Sequence, residues 1–180
     1  MIRKIVSGSL LILGILLLAQ GLFNLSKRVG LYRPTVINHS PSIQPLQDLS
    51  SFPPVKISIS NISINLPVES VTIKNGKWPT SQIGVSFLAN SGQVGKTGNL
   101  IFYGHNWKNL LGNLKSAKIN DTVAVELDNG QVFVYTVSYI AEVDQNDVSI
   151  LADSKDERLT LYTCSGILDQ KRLVVVAKRV

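Results

Sequence analysis

The chain has few of the residues that build cross-links or metal clusters. Among 180 residues there is one cysteine and there are two histidines. A single thiol excludes an internal disulfide and any cysteine-rich metal site. No cofactor and no metal are expected. Long runs of one charge are missing too. The net charge is +6, yet no more than two basic residues are ever adjacent. The charged stripe of a nucleic-acid binder is therefore lacking, and no nucleic-acid partner is expected. No internal repeat is visible.

A long hydrophobic run occurs once, at the start. Residues 5–23 are rich in leucine and isoleucine and carry no charge. At about 1.5 Å per residue such a run crosses a bilayer. Arg3 and Lys4 precede it and favour a cytoplasmic N-terminus, while Lys27 and Arg28 after it pull weakly the other way. The alternative is a cleaved signal peptide, but Leu18-Ala19-Gln20-Gly21 is a poor cleavage site. Residues 1–25 are thus read as one N-terminal transmembrane helix, a signal anchor in the cell membrane. Residues 26–54 hold Pro34, Pro41, Pro45, Pro53 and Pro54 among many Ser, Asn and Gln, and read as an extracytoplasmic linker. His39, inside that polar segment, reads as a solvated side chain.

Residues 55–180 are β-rich. Val55, Ile57 and Ile59 alternate with polar residues, as do Ile62, Ile64 and Leu66. The phase flips at Ser60-Asn61, which predicts a turn or bulge there. Pro67 is expected to end the second run, with 68–73 a further short extended piece. Asn75-Gly76 signals a turn, and a loop-rich region opens at Trp78-Pro79. Leu100-Ile101-Phe102-Tyr103 is a compact apolar run suited to a core strand, broken by Gly104. Leu110, Leu111 and Leu114 predict a short helix despite Gly112. Two runs at 122–127 and 131–140 flank Asp128-Asn129-Gly130, a strong hairpin turn. Residues 141–154 read as a loop with one helical turn. Two extended runs, 159–164 and 172–177, close the chain. The class is all-β, mostly strand with short helices, in a closed or nearly closed barrel.

The chemistry centres on Cys164. A strand-forming run, Leu159-Thr160-Leu161-Tyr162-Thr163-Cys164, delivers the thiol to its end, and Arg172 opens the next run after a short loop. A cation beside a thiol favours thiolate and can steady charge on an attacked carbonyl. The competing reading is a buried, inert cysteine. His105 follows a strand end, where catalytic side chains are often displayed; it reads either as a proton carrier or as a loop cap. Trp78 and Trp107 read as groove-lining or packing residues. Asp144, Asp147, Asp153, Asp156 and Glu157 lack the spacing of calcium ligands and read as a solvated acidic loop.

Gly98-Asn99, Gly104-His105, Leu110 to Leu114, Thr160-Leu161-Tyr162-Thr163-Cys164, Arg172 and Leu173-Val174-Val175-Val176-Ala177 occur in this order in one chain. This set, over residues 54–180, resembles the sortase family, the cysteine transpeptidases of the bacterial surface. The resemblance implies an eight-stranded closed β-barrel with Cys164, His105 and Arg172 as catalytic residues. It implies cleavage of a Leu-Pro-x-Thr-Gly-like sorting signal through a thioacyl-enzyme and joining of the carboxyl to an amine. Partners would be surface proteins bearing that signal, an amine acceptor (a cell-wall precursor or a pilin lysine) and the membrane that holds the N-terminal helix. Thr163 is expected to orient substrate or assist the oxyanion site, and Trp107 to contact substrate. The linker shows no Asp-Pro-aromatic lid of the kind found in pilus-building members. Two alternatives stand beside this reading: a thiol peptidase of the same fold that uses water, and a non-catalytic tethered β-barrel that binds a partner.

Overall fold

A computed structural model describes residues 52–180 and the isolated position 20. Apart from position 20, the predicted membrane helix lies outside the described residues, as does nearly all of the predicted linker. Eight strands follow in order: β1 (Pro54–Ile59), β2 (Ile64–Val71), β3 (Val85–Leu88), β4 (Gly98–Gly104), β5 (Thr122–Leu127), β6 (Val132–Asp144), β7 (Glu157–Ser165) and β8 (Lys171–Arg179). They close into a barrel in the order β1-β2-β3-β4-β7-β8-β6-β5. Closure leaves no free sheet edge for unwanted pairing. The eight-stranded barrel implied by the resemblance is therefore present.

Alternation explains the strands that the sequence shows. Ile57 and Ile59 on β1 and Ile64 on β2 are buried in the barrel interior with Leu100, Phe102 and Leu159. The phase flip after Ile59 is a 3-10 turn, Ser60–Ile62, closed by Ser63 in the left-handed region (φ 56°). The Asp128-Asn129-Gly130 hairpin joins β5 to β6, with Gly130 at φ 80°. Tyr135 is a large interior side chain whose hydroxyl donates to Glu157 Oε1 at 2.7 Å. Burial and that bond keep the phenol protonated, its pKa pushed well above the ordinary value.

Three expectations are corrected and one is made more specific. Pro67 does not end β2. It occupies the last pair of the β1–β2 ladder, opposite Lys56, and the first β2–β3 pair comes one residue later at Val68. A proline between two ladders interrupts neither. The loop-rich region contains β3, whose four residues are all buried and so show no alternation. The predicted short helix is a 3-10 helix over Leu111–Ser116. A Cβ at Gly112 would meet the carbonyl oxygens of Asn106 and Trp107 at 2.7 Å, so this close approach requires glycine. Finally, β6 continues to Asp144, where a loop was expected from 141, because residues 139–144 pair with β8.

Two pairings are parallel, β2 with β3 and β4 with β7. The second positions the site. It aligns the whole of β4 with β7 from Glu157 onward and ends at Gly104 opposite Thr163.

Candidate active site

The next residues along these two strands are His105 and Cys164. On the other side of β7, the antiparallel ladder with β8 sets Cys164 directly opposite Arg172. Imidazole, thiol and guanidinium thus emerge at one end of three adjacent strands, although their positions in the chain are far apart. All three line one cleft of about 380 Å³. Cys164 is a free, half-buried thiol.

The cleft lies on the outer face of the barrel. Leu100, Phe102, Leu159 and Leu161 point into the interior core. Their neighbours alternate outward. Ile101, Tyr103 and Tyr162 form a second apolar cluster with Leu88 and Leu151. Tyr103 and Tyr162 stack at 5.6 Å between centroids, and Trp78 meets both edge-on at 5.3 and 6.4 Å. The Tyr103 hydroxyl donates to the Pro79 carbonyl at 2.7 Å, which holds the Trp78 segment over the sheet. The result is an aromatic floor leading to the thiol. Gln145, Asp147, Val148, Ile150 and Leu151, from the connection between β6 and β7, form the facing wall.

The imidazole and the guanidinium each have a local support. The His105 ring stacks on Trp107 at 4.2 Å and an interplanar angle of 6°. The Gln82 amide nitrogen is 3.1 Å from His105 Nε2, and donates to it when that nitrogen carries no proton. Arg172 donates through one terminal nitrogen to the Asp169 carbonyl at 2.7 Å and the Lys171 carbonyl at 3.0 Å. The same planar fork carries further N–H donors for a bound oxygen. Lys171, the neighbouring cation, is exposed and does not line the cleft. The β7–β8 turn that brings Cys164 and Arg172 together uses left-handed backbone at Gly166, Leu168 and Asp169. Burial pushes the Tyr162 phenol up to about 12; Tyr103 and Cys164 add to the rise and Arg172 opposes it. The thiol and the guanidinium therefore act on the same floor residue.

Of the two further site residues, Thr163 also lines this cleft and Trp107 does not. Thr163 is buried, and its hydroxyl donates to the Gly104 carbonyl at 2.7 Å. That bond clamps the end of β4 to the end of β7, immediately before His105 and Cys164. Trp107 is half exposed and backs the imidazole, whereas Trp78 lines the cleft. The acidic residues of the β6–β7 region are dispersed. Asp156 pairs with Arg158 and Lys178, Glu157 accepts from Tyr135 and Gly95, and Asp147 accepts from Ser149. Among the described residues no group of three or more His, Cys, Asp or Glu is arranged to hold a metal.

Sequence reasoning passed over Tyr103, Tyr162, Gln82 and the β6–β7 wall. The two tyrosines carried a usable signal: each sits two residues before a reactive group, hence on the same strand face. Gln82 and the wall carry none, because nothing local says which loops fold over a given strand end.

The family model described as "Sortase domain" matches residues 57–180. The chain belongs to the sortase family. It is similar to sortase A of Bacillus anthracis, 29% identical over 125 residues that cover 68% of this chain and 57% of that protein. Sortase A of Listeria monocytogenes is 28% identical over 127 residues, covering 68% and 54%. The chain spans about half the length of these curated relatives. Among solved structures, a lid mutant of sortase A from Corynebacterium diphtheriae superposes with a TM-score of 0.62 and 30% identity, covering 79% of this chain and 81% of that one.

Proposed function

We propose that the domain is a cysteine transpeptidase that acts on a sorting-signal peptide of the Leu-Pro-x-Thr-Gly type. The observation that carries this reading is the convergence of Cys164, His105 and Arg172 on one cleft. The Cys164 thiolate attacks the scissile carbonyl carbon and forms the S–C bond. Arg172 donates hydrogen bonds to the oxygen that gains charge. The C–N bond breaks as His105 gives its proton to the departing amine, leaving a thioester on Cys164. An incoming amine attacks that thioester, His105 takes its proton, and the thiolate leaves. The aromatic floor of Tyr103, Tyr162 and Trp78 receives the apolar side chains of the acyl donor.

The acceptor on this reading is an amine of the cell-wall precursor or of another surface protein. The apolar run at residues 5–23 holds the enzyme in the membrane with the barrel on the extracytoplasmic side, where its substrates arrive. The test is incubation with a sorting-signal peptide, with and without an added amine, read by product mass. A ligated product that disappears in Cys164→Ala supports the proposal. Hydrolysis alone in the presence of abundant amines moves the reading to a thiol peptidase. No turnover by a folded wild-type domain rejects both.

A further inference from the structure

The wall of the cleft, residues 145–152, has little regular structure apart from one 3-10 turn, Ser149–Leu151. A wall of this kind, left to itself, samples many positions. At its start the Gln145 N–H donates to the Gln170 carbonyl at 3.3 Å, and Leu151 packs on Ile101 and Tyr103; farther along, one side chain ties two of its carbonyls to the sheet. Asn99 on β4 is buried, and its amide nitrogen donates to the Ile150 and Ala152 carbonyls, both at 3.1 Å. Its amide oxygen accepts from the Thr160 hydroxyl at 2.8 Å, and Thr160 is fully buried on β7. The two carbonyls need both amide protons, and the hydroxyl fills the remaining side, so the network fixes the amide's orientation.

The strand faces show what this tie does. Asn99, Ile101 and Tyr103 lead along the outer face of β4 to the strand end, where His105 follows. Thr160 and Tyr162 lead along β7 to Cys164. Thr160 is four residues before the thiol, roughly 13 Å at the rise of a strand, and Asn99, level with Arg158, is six residues back, roughly 20 Å. Between them and the thiol lie Ile101 with Leu151 above it, then the two tyrosines. Ile150, one of the tethered residues, lines the cleft with Val148 and Leu151.

We propose that Asn99 is a positioning residue that fixes the height of the β6–β7 wall above the aromatic floor and thereby sets how tightly the cleft takes its acyl donor. The proposal rests on the reading that this cleft binds a sorting-signal peptide. Asn99 touches neither the thiol nor the imidazole, so its loss acts on donor binding and leaves the chemical step in place. A residue that merely supported the fold would lower the melting temperature without separating KM from kcat.

The experiment compares the wild-type domain with Asn99→Ala, Asn99→Asp and Thr160→Val. Donor-peptide kinetics and backbone hydrogen exchange of the free enzyme are read for each. Asn99→Asp keeps the shape but removes both donated bonds. Both Asn99 variants are expected to raise KM for the peptide about tenfold, the effect of one or two lost hydrogen bonds, with kcat within about twofold of wild type. Exchange over residues 148–153 is expected to rise while β4 and β7 keep their protection. Thr160→Val, which frees the amide to rotate, moves both readings the same way by less, and decides the matter if the Asn99 variants do not fold. Unchanged exchange over 148–153, or a fall in kcat at constant KM, overturns the proposal. The exchange arm needs no substrate, so it tests the tether even if the wild type turns over no peptide, a result that would count against the transpeptidase reading instead.

Discussion

Cys164 and Arg172 face each other as a direct pair across the β7–β8 ladder. Backbone register therefore sets the two residues side by side. The Arg172 fork is further held by two carbonyls of its own loop. A point charge on a flexible stem does not reproduce this. Arg172→Lys is expected to lower kcat/KM for a donor peptide by about 10²-fold and Arg172→Ala by about 10³-fold, the range for losing an oxyanion donor. Steady-state kinetics with a quenched fluorescent peptide measures both.

The stacking of His105 on Trp107 gives a second expectation. A ring pair at 4.2 Å contributes about 0.5–1.5 kcal/mol beyond its area. Trp107→Ala is expected to lower kcat/KM by roughly fivefold, while Trp107→Phe restores most of the loss. The rate of thiol alkylation at Cys164 serves as the control and stays near wild type.

Thr163 predicts a stability effect at the same place. Thr163→Val keeps the volume but leaves the buried Gly104 carbonyl without its donor, a loss of about 1–3 kcal/mol. Thermal unfolding is expected to shift down by several degrees, at about 4 °C per kcal/mol for a domain of this size. Activity falls with it, because the clamp aligns the ends of β4 and β7.

The hydrogen bonds from Ser154, Lys178 and Arg158 hold the Asp156 carboxyl well below the usual carboxylate range. A carboxylate with a depressed folded pKa contributes stability above its unfolded value, near 3.9, and loses it as pH falls toward the folded value. The wild-type domain is therefore expected to lose thermal stability between about pH 5 and pH 3. Asp156→Asn removes part of that dependence and flattens the curve. Asp121 and Asp147, also held low by hydrogen bonds, keep a residual slope in the variant.

The strand ends that carry the reactive groups were legible because their signals are local. Gly104 breaks an apolar run just before His105, and Arg172 opens one. The alternation at Ile57, Ile59, Ile64 and Leu66 announced two strands and the turn between them. β3 escaped because Val85, Ser86, Phe87 and Leu88 are all buried and present no period. Pro67 misled because a proline usually marks a strand's end, and only the staggered ladders on its two sides show why it is harmless. Asn99 was visible as part of a motif, but its partners Ile150 and Ala152 belong to a segment some fifty residues later. The parallel pairing of β4 with β7, which brings His105 to Cys164, is likewise non-local and has no signature in either strand alone.

On the proposed mechanism, Cys164 carries the acyl group between the two halves of the reaction. Intact-protein mass spectrometry of the domain mixed with a sorting-signal peptide, quenched in acid before amine is added, tests it most directly. The expected result is an adduct equal to the acyl half of the peptide, mapped to Cys164, that disappears on addition of an amine as ligated product forms. Ligated product forming at the wild-type rate in Cys164→Ala, or an adduct that maps to another residue, would contradict it.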